Sequence, residues 1–140
     1  MRKYVDMRGH LKNLEKRGLL KRVKRVMNKD TEIHPLVRWQ YRGGLRDSQR
    51  MGFLFENVVD SKGRKYDYPV AVGVMAGSTQ VYAVGLDCKP QEVITKWQHA
   101  LEHPIAPVVV KTGSVHEVVM TGGDLTGKEG GLYKFPIPIS

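Results

Sequence analysis

Five histidines, His10, His34, His99, His103 and His116, are the side chains best able to hold a metal or move a proton near neutral pH. His99 and His103 are four residues apart, the separation that brings two imidazoles to one face of a helix and that helical zinc sites use. Their neighbours argue against that chemistry. Ala100 follows His99 where a helical zinc hydrolase carries glutamate, and Pro104 ends the helix directly after His103. Glu102 stands beside the pair and could tune a pKa, but a solvated helix end needs the same residues. Cys88 is the single cysteine, which excludes an internal disulfide and a cysteine-rich zinc site and leaves a small, partly buried residue as the plain reading.

Phosphate and nucleophile patterns fail in the same way. Gly43-Gly44 lacks the lysine spacing of a phosphate-binding loop, and Gly122-Gly123 and Gly127 to Gly131 have neither a G-x-G-x-x-G order nor the strand-to-helix setting it requires. Neither Ser78 nor Ser114 is flanked as G-x-S-x-G. Arg38-Trp39-Gln40-Tyr41-Arg42 interleaves cations with rings, as base-stacking surfaces do. On a helix, Trp39 and Tyr41 project about 200° apart, so they cannot form one platform, and one of them is expected to pack inward. From the residues alone, the catalytic, cofactor-binding and metal-ligating sets are all empty.

The elements that would position any such residue are legible. Asp6 caps a helix over Met7 to Arg17, Gly18 stops it, and Met7, Leu11 and Leu14 form its one apolar stripe. Leu19 to Met27 reads as a strand whose basic side chains face water. After a turn at Asn28 to Asp30, His34 caps a second helix with Pro35 at its first position, ending near Arg42 at Gly43-Gly44. Met51 to Val59 and Tyr68 to Met75 are two apolar strands, separated by the turn Asp60-Ser61-Lys62-Gly63, and read as a hairpin. Ser78 caps a short helix from Thr79 to Val84. A longer helix with Pro90 in its first turn presents Val93, Ile94, Trp97 and Leu101 as the clearest buried face in the chain. Ile105 to Lys111 and Val115 to Thr121 are expected to be extended, joined at Thr112-Gly113. Phe135-Pro136-Ile137-Pro138-Ile139 takes an extended path that cannot be a central strand, since two of its residues lack ladder donors.

These elements make an α+β domain with a small mixed sheet and flanking helices, within a length of 140 residues that suits one domain. The longest apolar runs, Pro69 to Ala76 and Ile105 to Val110, are far short of the ~20 residues of a membrane helix. Val5, Met7 and Leu11 are too interrupted by charge for a signal peptide, so the expected location is cytoplasmic. The formal charge of +9 is lopsided: residues 1 to 50 hold fifteen Lys or Arg against five Asp or Glu, and the remainder holds eight against nine. A solvated basic face, an acidic partner, an anionic ligand or a nucleic acid would each fit that footprint. The apolar FPIPI string followed only by Ser140 makes a poor C-terminus, and a chain that continues is expected.

The order of segments resembles the start of the UbiD-family decarboxylases. Asp6-Met7-Arg8 through Leu14-Glu15 and the step Gly18-Leu19-Leu20-Lys21-Arg22-Val23 are similar to the family's opening helix and strand. Glu32-Ile33 and the stop at Gly43-Gly44 match its next helix. Phe53-Leu54-Phe55-Glu56-Asn57-Val58 resembles its L-L-F-E-N-V, and Tyr68-Pro69-Val70 with Gly77-Ser78 resembles its P-V-x-x-N-x-x-G-S region. Glu117-Val118-Val119, Gly122, Asp124-Leu125 and Phe135-Pro136-Ile137-Pro138 look like its E-V-V-x-x-G-x-D-V-D-L…L-P-I-P. Arg46 to Met51 and Leu125 to Leu132 depart from the pattern.

The resemblance implies residues 1–111 as an N-terminal α+β domain and 112–140 as the start of the connection into a cofactor-binding domain. It implies a complete enzyme that reversibly decarboxylates an aromatic or α,β-unsaturated acid with prenylated FMN, a divalent metal (Mn or Mg) and K+, as a homo-oligomer. In the family the cofactor, metal and catalytic residues follow the P-I-P segment, so no residue here inherits a role, and this chain alone is expected to be inactive. Two other readings remain: a small basic nucleic-acid-binding module, and a separate accessory subunit beside a catalytic partner.

Overall fold

A computed structural model describes residues 6–126 and 130–139. Val5, residues 127–129 of the glycine-rich stretch and Ser140 lie outside the described residues. The order is α1 (Met7–Lys16), β1 (Leu20–Asn28), α2 (Ile33–Arg42), β2 (Gly52–Val59), β3 (Lys65–Tyr66), β4 (Val70–Val72), α3 (Thr79–Leu86) and α4 (Val93–Glu102), with short 3₁₀ turns between and after them. β1 runs parallel to β2, while β3 and β4 both pair antiparallel with β2, so the α+β class and the mixed sheet expected from the sequence are found. The hairpin is present, with Phe53 opposite Val72 and Phe55 opposite Val70. Its second strand is shorter than the apolar run Tyr68 to Met75, because Gly73 turns the chain at φ +70°.

Alternation along β2 divides the interior. Leu54 and Phe55 are consecutive and therefore point to opposite faces of the sheet. Leu54 joins Leu14 of α1 and Val81 and Val84 of α3 on one face. Phe55 joins Ile33 and Val37 of α2, with Met27 and Val70, on the other. α1 and α3 thus cover one face and α2 the other. Asp6 caps α1 by accepting from the Gly9 N–H at 2.7 Å, and Gly18 leaves it at φ +69°. His10, fully buried, holds α1 to the turn after β4 through a 2.7 Å bond from Nε2 to the Val74 carbonyl.

α2 differs from its expected start. It begins at Ile33, with Glu32 rather than His34 before it and with Pro35 third. Glu32 is drawn back by its carboxylate, which accepts from the Asn28 N–H at 2.7 Å and from Arg25 at 2.9 Å. Pro35 is tolerated there because the first four N–H groups of a helix have no intrahelical partner. Trp39 and Tyr41 are both exposed, so neither packs inward. The buried residue of that stretch is Gln40, whose amide donates to the Met51 carbonyl at 3.0 Å and accepts from the Met51 N–H at 3.1 Å. It does for the approach to β2 what a neighbouring strand would do. Replacing it by leucine leaves both Met51 groups unpaired and is expected to cost about 2 kcal/mol in urea unfolding; a loss under ~0.5 kcal/mol would mean that water takes the amide's place.

Much of the basic excess on β1 is neutralised locally. Arg22 bridges Glu15 and Glu56, Arg25 meets Glu32, and Lys29 meets Asp30. The Arg22 hydrogen bond holds Glu15 below the usual carboxylate range, and Lys29 does the same for Asp30. The Asn28 N–H lowers Glu32, and the Arg64 N–H lowers Asp60. A carboxylate whose pKa is lower folded than unfolded stabilises the fold above its unfolded pKa and loses that contribution as pH falls through the folded value. Thermal unfolding is therefore expected to be nearly flat from about pH 8 to 6 and to fall steeply below about pH 4. A midpoint unchanged at low pH would contradict these pairings.

Candidate docking surface

α4 is the element least settled in the fold. The sequence gives it the clearest buried face, yet it has no buried residue: Ile94 is 71% and Leu101 74% exposed. Its hold on the domain runs through α3, where the rings of Tyr82 and Trp97 lie 6.3 Å apart. The helix forms as expected, after a 3₁₀ turn at Pro90–Glu92, but its apolar stripe joins neither core: Trp97 meets Tyr82 at the surface, and Ile94 and Leu101 stay exposed. Periodicity reports that a face is to be covered, and does not say by what.

The same holds for the chain that follows. The segments expected to be extended, 105–111 and 115–121, join no sheet among the described residues: the first is irregular backbone, and a 3₁₀ turn at Ser114–His116 opens the second. Their residues are strand formers with no strand to pair with among the described residues. Ile105 and Val109 are 94% exposed, and Val108, Val110, Val115, Val118 and Val119 are exposed with them. The arm then returns to the domain. Phe135 packs on Tyr68 with ring centroids 5.3 Å apart, and Pro136 is buried. α4 and the arm after it expose far more apolar side chains than the isolated ones usual for a soluble domain. An open cleft of about 370 Å³ adjoins α4, with Trp97, Tyr82, Tyr41, Arg50 and Asp47 among its walls. Asp47 is committed to the Thr79 N–H at the start of α3, and the Arg50 guanidinium lies 5.3 Å from the centre of the Tyr41 ring.

The residues singled out for chemistry do not converge. The His99 and His103 rings lie tilted to one another with centroids 4.2 Å apart, and His103 Nδ1 is 2.9 Å from the His99 carbonyl, closing the end of α4. Among the described residues no three His, Cys, Asp or Glu side chains gather to hold a metal ion. The divalent metal that the family resemblance implies therefore finds no donor set in them. Ser78 is buried and caps α3, as expected, accepting from the Val81 N–H at 3.3 Å. Ser114 opens the turn in the arm, Cys88 is half-buried, and Gly43 ends α2. Gly122–Leu125 forms a 3₁₀ turn rather than a phosphate cradle. No helix among the described residues is long and apolar enough to cross a membrane.

The basic residues separate too. Arg8, Lys12 and Lys16 ride on α1 and Arg38 and Arg42 on α2, and those helices cover opposite faces of the sheet. Their solvent sides look away from one another, so the cations make two patches rather than one face.

Residues 11–101 match the sequence profile of the 3-octaprenyl-4-hydroxybenzoate carboxy-lyase N-terminal domain. The fold is similar to that of the UbiD-class enzyme HmfF from Pelotomaculum thermopropionicum in complex with FMN, with a TM-score of 0.69 and 27% identity over 94% of this chain and 26% of that one. An evolved dimeric form of the same enzyme, in complex with prFMN, gives 0.70 and 25% over 94% of this chain and 27% of that one. The vanillic acid decarboxylase of Sedimentibacter hydroxybenzoicus in its open form, with truncated VdcD, gives 0.58 and 27% over 79% of this chain and 23% of that one. The chain thus spans about a quarter of the length of these enzyme chains. The order of helices and strands, the F-E-N strand at the centre of the sheet and the profile over 11–101 lead to one assignment: this chain belongs to the UbiD N-terminal domain family.

Proposed function

We propose that this chain is the non-catalytic N-terminal part of a UbiD-like carboxy-lyase, and that its α4 and arm are the surface on which the rest of the enzyme sits. Residues 1–111 form the N-terminal domain, and 112–140 begin the connection into the cofactor-binding domain. The full-length enzyme reversibly decarboxylates an aromatic or α,β-unsaturated carboxylic acid with prenylated FMN, supported by a divalent metal (Mn or Mg) and K+, in the cytoplasm and as a homo-oligomer. When bound, the flavin supplies the electron sink for carbon–carbon cleavage, and the residues that hold it belong to the remainder of the polypeptide. The residues described here contribute shape, with α4 and the arm shielding that neighbour from water.

The observation that carries this reading is the exposed apolar surface that begins at α4 and continues along 105–119. Such a surface is costly to leave in water, at roughly 25 cal/mol per Å², and a domain continuing beyond it would remove that cost. The gene's product, expressed together with a flavin prenyltransferase, is expected to have a native mass well above that of 140 residues and to carry flavin absorbance, while the 140-residue chain alone stays colourless. A product that ends at Ser140 and binds no flavin would overturn the reading in favour of an accessory subunit.

A further inference from the structure

The outer side of α2 carries a feature the docking surface does not use. His34, Arg38 and Arg42 form one row at i, i+4 and i+8, and Pro35, Trp39 and Gly43 form the row beside it. The two rows line a concavity of about 390 Å³. Trp39 is 71% exposed, and neither Arg38 nor Arg42 has an acidic partner among the described residues, in contrast to Arg22 and Arg25 on β1 and Lys29 in the turn after it. An exposed tryptophan flanked by two such arginines has the composition of an interface anchor rather than of an ordinary helix surface. Of α2 only Tyr41 lines the cleft beside α4, and His34, Arg38 and Arg42 do not.

We infer that this side of α2 is a second interface, and that its occupant is an acidic polypeptide segment whose carboxylates take Arg38 and Arg42 while an apolar side chain covers Trp39. Charge decides against two copies of α2 meeting, since that would set Arg38 and Arg42 against their own duplicates. Dimensions decide against nucleic acid. The two arginines of the row lie only about 6 Å apart along the helix at 1.5 Å per residue, and the α1 cations lie across the sheet. A few carboxylates on a short segment match the row in length and in sign.

The test uses the 140-residue chain with Trp97→Phe, so that Trp39 is the only tryptophan reporter, titrated at low salt with a hexaglutamate peptide carrying one central leucine. Saturable quenching of Trp39 is expected. R38E/R42E should weaken the binding at least tenfold, and R8E/K12E on α1 should change it less than twofold, with circular dichroism confirming that each variant folds. Equal weakening by both pairs would reduce the effect to net charge and overturn the inference. Tighter binding of a dT oligonucleotide through Arg38 and Arg42 would overturn it in favour of nucleic acid, and the absence of saturable peptide binding would overturn it outright.

Discussion

Phe55→Ala is expected to cost about 3–5 kcal/mol, measured as a shift in urea unfolding with an unchanged slope. Phe55 is 0% exposed and lies where β2, the strand that holds the sheet together, meets the underside of α2. It pairs with Val23 across the parallel ladder and with Val70 across the antiparallel one, and its ring lies 5.8 Å from that of Phe53. Removing it opens a cavity that strands on both sides are held from collapsing into. Since a domain of this kind is stable by only about 5–15 kcal/mol, the variant should be close to unfolding at physiological temperature. A cost below about 1.5 kcal/mol would mean that α2 is anchored otherwise than through this core.

The second large effect depends on context. Ile94→Glu with Leu101→Lys places each charge where the α4 dipole favours it, and both positions are mostly exposed. In the 140-residue chain the pair should change stability by no more than about 0.5 kcal/mol. In the gene's full product the same charges would be pressed against an apolar neighbour without partners, at a cost of several kcal/mol, and flavin loading should fall with the loss of docking. Equal tolerance in both settings would remove α4 from the interface. A large loss in the short chain would mean that α4 packs on its own domain more tightly than the structure shows.

The difference between these two variants also explains what could be read from the sequence. Local chemistry was legible wherever partners are near in the chain: Asp6 and Gly18 bound α1, Ser78 caps α3, and the apolar runs of β2 and β4 pair. Gln40 was not, because its partner is the backbone at Met51, and a buried glutamine looks in sequence like a solvated one. The start of α2 was misplaced by the favourable signal of Pro35, which the carboxylate of Glu32 overrides by binding Asn28. For α4 the apolar periodicity marks a helix face correctly but not its burial, and 105–121 is as rich in strand formers as its sequence says yet joins no sheet among the described residues. The residues are of the kind that pack, and nothing among the described residues covers them. The basic face split in two for a related reason, since a run of charge along the chain says nothing of which side of a sheet each helix will cover.

The most direct test of the account is amide hydrogen exchange over residues 105–121, compared between the 140-residue chain and the gene's full product. The account predicts exchange close to that of an unstructured peptide in the short chain, where these residues have no ladder, and protection of at least about a hundredfold in the full product, where the remaining polypeptide covers them. The same rapid exchange in both would contradict the claim that α4 and the arm are the docking surface of a UbiD-like enzyme.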